Sequence, residues 1–281
     1  MRQPELIIGL IIIILILSGV SIYFIYKYNY QNRTVEVFSQ INTPLRRENL
    51  VITLYNIHHG VGIDGRLDLD RIARVLKKTD SDIIGLNEVD RGLKRSGFQH
   101  QVQILARKLK MNYAYGPNLQ TGEGSYGNAV LSKYPISEVI NKPLPVIDST
   151  EKRGLLQAIV SLPGGPELKI MVTHLSTDFK EREQQLKWIN EYTNNIETPF
   201  ILMGDFNQRI PAINLEGLYP LATNVKTYPS TAPEELIDLV FSNYNFRVEE
   251  YTIDTMASDH LPVIVKLPAF PLHNIPLTGT G

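Results

Sequence analysis

The sequence predicts a mixed α/β layered sandwich, and three observations carry that expectation. Apolar, β-branched runs alternate with amphipathic helical segments in the first half of the chain; later runs are mostly strand-like; and polar side chains cluster at the ends of these runs. The 281 residues are 43% hydrophobic and 20% charged, enough to build a sizeable core in one large domain or two small ones. A net charge of −1 argues against a large basic surface, and the absence of cysteine excludes disulfide scaffolds, thiolate metal sites and cysteine nucleophiles.

The first element is an uncharged stretch, Leu6 to Tyr26, in which fifteen of 21 residues are Leu, Ile, Val or Phe. As a helix it spans about 32 Å, the thickness of a bilayer core. Tyr23, Tyr26, Tyr28 and Tyr30 crowd its far end like an interfacial belt. A cleaved signal peptide is the competing reading, but no small-residue cleavage site follows. The expectation is a single-pass membrane anchor over residues 1–26. Arg2 before the span and Lys27, Arg33, Arg46 and Arg47 after it favour a cytoplasmic body by charge count. Large domains translocate regardless of such counts, and a tethered domain downstream of an anchor points to an extracytoplasmic body.

Residues 27–48 read as a polar stalk and 268–281 as a loose tail, leaving 49–267 as the folded body. Within it Leu50–Asn56 predicts a buried strand. Asp68–Thr79 predicts a helix, with Leu69, Ile72, Ala73 and Leu76 on one face and Asp68 as its cap. Asp82–Leu86 is a second short strand, and Phe98, Val102, Leu105 and Leu109 mark a second helix. Strands follow at Gly127–Ser132, Leu155–Leu162 and Leu168–His174. A third helix covers Lys180–Asn194 with Leu186 and Ile189 inward and Trp188 at its edge. Phe200–Met203, Leu236–Phe241, Phe246–Ile253 and Leu261–Leu267 complete the strand candidates.

Six polar clusters close a strand or open the loop beside it: Asn56–His59, Asn87–Asp90, Thr173–His174, Asp205–Asn207, Asp238 and Ser258–His260. Each alone has an ordinary reading as a turn, a surface acid or a packed histidine. Together they are too many coincidences, because strand ends converge on one rim of a sheet. The set offers hard oxygen donors for Mg²⁺ or Mn²⁺ and two imidazoles near acids. No nucleophile elbow, Walker loop or HExxH motif is present.

With NEVD, GDFN and SDHLPV in this order and spacing, the chain over residues 49–267 resembles the endonuclease/exonuclease/phosphatase superfamily. The strings TLYNIHHGVGIDG, RLDLDRIARV, GLNEVDRG and YGNAVLSKYPI resemble a bacterial branch, similar in turn to the C-terminal domain of proteins that remodel GPI lipids. The resemblance implies a four-layer α/β sandwich, two packed mixed sheets flanked by helices. It implies Glu88 as principal metal ligand with Asn56 beside it and Asp259 at the metal side. Asp205 and Asn207 would orient water and hold a phosphate oxygen. His260, buttressed by Asp238, would contact the scissile phosphate, and His174 would face the phosphate or leaving group. Arg153 and Tyr126 would reach a phosphate, with Asn128 close by. Two departures stand out: Asn87 precedes the glutamate where many members have Gln, and His58 stands where apurinic endonucleases place a carboxylate. The second weakens a two-magnesium scheme and points to a substrate contact from His58 or His59.

The expected function is a membrane-anchored phosphohydrolase using Mg²⁺ or Mn²⁺ on a phosphodiester, in a lipid headgroup or small molecule. The alternative is a membrane-held nuclease, with Arg91, Lys94 and Arg95 along one edge of its groove. Oligomeric state is left open by the sequence.

Overall fold

A computed structural model describes residues 35–39, 49–164, 167–210 and 212–268. The expected anchor, most of the stalk and all but Pro268 of the tail lie outside these residues. No helix among the described residues is long and apolar enough to cross a membrane.

Two mixed sheets face each other. The first has seven strands in the order β1 (Glu36–Phe38), β4 (Asn112–Gln120), β5 (Ser125–Ser132), β3 (Ile83–Arg91), β2 (Asn49–Asn56), β13 (Val263–Pro268), β12 (Glu249–Thr252). The second has six in the order β10 (Tyr219–Pro220), β11 (Asp238–Ser242), β9 (Phe200–Asp205), β8 (Glu167–His174), β7 (Gly154–Ser161), β6 (Ile136–Pro143). In the first, β2 runs parallel to β3, with Asn56 opposite Asn87. In the second, β8 runs parallel to β9, with His174 opposite Asp205. Every other pairing between strands is antiparallel. Each sheet thus centres on one parallel pair whose C-terminal ends carry the polar clusters.

The sheets close on a shared apolar core that includes Ile52, Leu54, Val130, Leu156, Val172, Ile201, Met203, Val240 and Val263. The outer face of the first sheet is covered by α1 (Leu69–Thr79) and α2 (Gln101–Leu109), through Ile72, Leu76, Val102 and Leu105. The outer face of the second is covered by α3 (Phe179–Thr193), through Leu186 and Ile189. This is the expected α/β/β/α order. Asp68 caps α1 by accepting from the Arg71 amide, and Asp178 caps α3 by accepting from the Glu181 amide. Trp188 is half-buried and stacks on Tyr192.

Four strands were not expected: β1 (Glu36–Phe38), β4 (Asn112–Gln120), β6 (Ile136–Pro143) and the two-residue β10 (Tyr219–Pro220). Within the segment expected as a stalk, residues 36–38 pair antiparallel with β4 as an edge strand. Glu36 holds it there by accepting from Tyr113 Oη and lying 2.9 Å from His100 Nε2. Phe98, placed on α2 by its spacing, instead lies in the preceding loop with φ 58° and is 63% exposed.

Candidate active site

The C-terminal ends of β2, β3, β8 and β9 meet across the gap between the sheets. The loops around them line an open cleft of about 1120 Å³. β3 breaks register with β5 between Leu86 and Val89, so Asn87 and Glu88 form a bulge. Glu88 takes a left-handed backbone there, φ 59°, which aims its carboxylate into the cleft. The same uncommon conformation recurs at His58 and His59, both at φ 43°, and at Asn207, φ 50°. Four site residues carrying such strain mark a functional rim.

Asn87 bridges the sheets from the other side of the bulge. Its Nδ2 donates to Asn128 Oδ1 at 2.9 Å and to the Thr173 carbonyl at 2.7 Å, and its Oδ1 accepts from the Asp205 amide at 2.9 Å. Asn128 in turn donates to the carbonyls of Gly154 and Val172. Its amide is thus committed to the inter-sheet network, where the sequence led us to expect a substrate contact. Gly204, ahead of Asp205, lets β9 press on β8: a Cβ there would lie 2.0 Å from the Thr173 carbonyl oxygen.

Asn56 links the two halves of the site. Its Nδ2 donates to Glu88 Oε1 at 3.3 Å and to Asp205 Oδ2 at 3.0 Å, while its Oδ1 accepts from the His58 amide. Asp205 Oδ2 lies 3.5 Å from His174 Nε2 and 3.7 Å from His260 Nε2. On the far side of its ring, His260 Nδ1 is 2.7 Å from Asp238 Oδ2, which also accepts from Thr227 Oγ1 at 2.6 Å. Glu88 and His260 therefore belong to one connected cluster despite a sequence separation of 172. Asn207 donates through Nδ2 to the Leu175 carbonyl, and its own amide donates to Asp205 Oδ1.

Among the described residues, ligand atoms of His58, His59 and Glu88 lie within 4.8 Å of one another. Asp259 stands beside this group, 3.9 Å from His58 Nδ1. Arg153 is only 5% exposed, yet its Nε and Nη1 have no hydrogen-bond acceptor; Nη1 lies 3.1 Å from Glu151 without the alignment of a bond. Tyr126 is buried at the cleft wall with the Arg95 guanidinium 5.1 Å above its ring. Of the three basic residues expected along one edge, Lys94 and Arg95 line the cleft, whereas Arg91 is turned to Glu36 at 3.5 Å.

Charge states follow from these neighbours. Burial raises the Asp205 carboxyl, and the Asp238 charge raises it further, to about 7. Burial opposes charge on His260, but Asp238, aided by Asp205 and Asp259, outweighs it and lifts the imidazole to about 10. Burial and the charge of Arg153 hold His174 neutral. Burial would raise the Glu88 carboxyl, yet His59 and the Asn56 amide outweigh it and keep the carboxylate ionised. Burial and the nearby Glu88 charge keep the Tyr126 hydroxyl protonated. The cluster thus combines a fixed cation, a basic carboxylate near neutrality, neutral donors and an ionised carboxylate in one cleft.

Three contributors escaped sequence reasoning. Tyr228 lines the cleft with its ring 4.8 Å from that of His260, and nothing in KTYPSTAP marks it. Thr227 and Ser258 fix Asp238 and the Asn56 carbonyl; the SDH string contained Ser258 but gave it no role.

A sequence profile described as the Endonuclease/Exonuclease/phosphatase family matches residues 53–260. The chain is 32% identical over 169 residues to YbhP, an uncharacterized protein of Escherichia coli strain K12. That match covers 56% of this chain and 66% of YbhP, so the chain spans just under two thirds of that relative. In three dimensions it is similar to an endonuclease/exonuclease/phosphatase from Beutenbergia cavernae DSM 12333, with TM-score 0.65, 25% identity, and 79% and 72% of the two chains covered. It is also similar in fold to a mannosyl-6-phosphatase from Bacteroides thetaiotaomicron VPI-5482, with TM-score 0.61, 21% identity, and 77% and 98% covered. The same holds for truncated TDP2 of Caenorhabditis elegans, with TM-score 0.58, 18% identity, and 78% and 97% covered.

Proposed function

The chain belongs to the endonuclease/exonuclease/phosphatase family, and from that premise we propose that its cleft hydrolyses the phosphodiester of a lipid headgroup or small phosphorylated molecule. The family's description spans nucleases and phosphatases, and on this reading the chain is a metal-dependent phosphoric ester hydrolase. The observation that carries the reading is the buried guanidinium of Arg153, with two nitrogens lacking hydrogen-bond acceptors, facing the same cleft as cationic His260 and neutral His174. Glu151 on the half-exposed rim balances part of the Arg153 charge without bonding the fork, and a phosphoryl group matches the guanidinium geometry that remains open.

The donor set also fits a divalent cation. Glu88 presents an ionised carboxylate, oriented by the Asn56 amide nitrogen that donates to it, and Asp259 a further carboxylate at the rim. The buried Nδ1 of His59 next to Glu88 has no hydrogen-bond partner. When bound, the cation supplies Lewis-acid neutralisation of phosphoryl charge, and Mg²⁺ or Mn²⁺ matches this oxygen-rich set. Asp205 takes a proton from the attacking water as its oxygen bonds to phosphorus. Asn207, His174 and Tyr126 donate hydrogen bonds to phosphoryl oxygens, and Arg153 with His260 stabilises the charge that develops as the leaving oxygen departs.

Two features favour a small or lipid-borne diester over a nucleic acid. Glu123, Glu151, Glu235 and Asp259 line the cleft alongside Lys94 and Arg95, so no continuous basic track is offered to a polyphosphate backbone. The second is the apolar segment Leu6–Tyr26, which would hold the enzyme on a bilayer surface. Of the large exposed apolar side chains among the described residues, Tyr228 lines the cleft. The test is the full chain in detergent with Mg²⁺ or Mn²⁺. Its substrates are bis-p-nitrophenyl phosphate, phosphatidylinositol and sphingomyelin vesicles, and plasmid DNA. Turnover of the lipid or the small diester, abolished by chelator, is expected. Efficient nicking of DNA with neither of the others cleaved would instead establish the nuclease.

A further inference from the structure

We propose that His58 and His59 complete, with Glu88, a mixed nitrogen–oxygen cation site that takes an imidazole-binding divalent ion of the Mn²⁺ type in preference to Mg²⁺. The inference rests on the reading of Glu88 as a cation ligand and extends it to two residues so far seen only as substrate contacts.

Four observations converge. The ligand atoms of the three residues lie within 4.8 Å of one another. His59 Nδ1 is buried without a hydrogen-bond partner, 3.7 Å from Glu88 Oε2. That separation is too long for a hydrogen bond. It falls inside the span of two ligands on one ion, which cannot exceed about 4.2 Å when each bond is about 2.1 Å. His58 Nδ1 is 3.1 Å from the Val61 carbonyl, so that nitrogen carries the proton and Nε2 keeps its lone pair. A ring nitrogen donating to a backbone carbonyl is the usual way a metal-binding imidazole is fixed in its tautomer. Finally, both histidines sit at φ 43°, and the His59 carbonyl is pinned by Gln101 Nε2 at 2.6 Å. The fold thus holds two adjacent rings, 4.4 Å apart and edge-on, in a conformation the chain would not adopt on its own.

Imidazole is a poor ligand for Mg²⁺ and a better one for first-row transition ions, of which Mn²⁺ also takes carboxylate oxygens, so two ring nitrogens shift preference toward Mn²⁺ without excluding Mg²⁺ from Glu88. The experiment uses the tag-free full chain in detergent, freed of metal by chelator and titrated with Mn²⁺ alone or Mg²⁺ alone by calorimetry. Pulsed electron paramagnetic resonance then examines the Mn²⁺ adduct. Bound Mn²⁺ is expected to show ¹⁴N coupling from imidazole, weakened in His59→Gln and abolished in His58→Gln/His59→Gln. Mn²⁺ affinity should fall at least about 10-fold in the double variant, with Mg²⁺ affinity changed by less than about 3-fold. Bound Mn²⁺ without nitrogen coupling in the wild-type protein would overturn the inference, and that readout does not depend on any variant folding. Diester hydrolysis with Mg²⁺ but no such coupling would sink the histidine site and leave the function standing. Nitrogen-coupled Mn²⁺ in a protein that hydrolyses none of the esters would do the reverse.

Discussion

Asp205 is where the chemistry is most exposed to test. Its carboxyl is raised to about 7 and must be ionised to take a proton from water, so kcat/KM should climb with pH and level off near neutrality. A cation at Glu88 would draw this limb lower. Asp205→Asn should cost about 10²–10⁴-fold in kcat, measured on a small diester. The same shift makes a stability prediction of definite sign. A carboxyl raised from 3.8 to about 7 by folding favours the folded state only while protonated. Its contribution therefore erodes as pH rises from about 4 to 7. In metal-free protein, the melting temperature of Asp205→Asn relative to wild type should increase across that interval; a constant difference would contradict the assignment. His260 has the same sign in a higher window. Its pKa, raised from 6.5 to about 10, contributes stability that is complete below 6.5 and lost as pH passes through 10. Arg153→Ala should raise KM and lower kcat together, and Arg153→Lys should recover little because a point charge cannot replace the fork. At this scale the acids and imidazoles were legible because their types are rare at strand ends. The amides were not: Asn87 and Asn128 read like any other Asn, and only the structure separates an amide bridging two sheets from one facing a cleft.

At the scale of elements, the β3 bulge and the β8–β9 pairing hold the site together. Removing the Asn87 side chain leaves the Asp205 amide, the Thr173 carbonyl and Asn128 short of partners in a region closed to water. Asn87→Ala should therefore cost about 1–3 kcal/mol in urea unfolding, and should also reduce turnover, because Asp205 is positioned through that amide. Full stability with unchanged turnover would contradict the bridging role. Helices α1 and α3 and the central strands were readable from apolar spacing and acidic caps. β4 was not, because NYAYGPNLQ holds Gly, Pro and Asn that elsewhere signal turns; here β1 and β5 enclose the strand and override that signal. β6 was hidden by its own bulge between Ser137 and Ile140, where Glu138 takes φ 46° and breaks the alternation. β1 is three residues long, too short for any periodicity, and depends on Glu36, Tyr113 and His100 for its place.

For the whole molecule, two sheets each place a parallel strand pair so that their ends face across one gap, and neither sheet carries a complete site. The first brings Asn56 and Glu88, the second His174, Asp205 and Asp238, and His260 arrives from the loop before β13. The layered architecture followed from the pattern of elements, whereas the cleft's width and its acidic rim are set by loops that no periodicity describes. The central claim is that these groups form one metal-dependent diesterase centre. The most direct measurement is turnover of bis-p-nitrophenyl phosphate by the chelator-treated full chain, with Mg²⁺ or Mn²⁺ restored, for wild type, Glu88→Gln and Asp205→Asn. Activity that returns only with the cation in wild type, and falls by about 10²-fold or more in both variants, is the predicted result. Turnover that persists without any cation, or that survives undiminished in either variant, would contradict it.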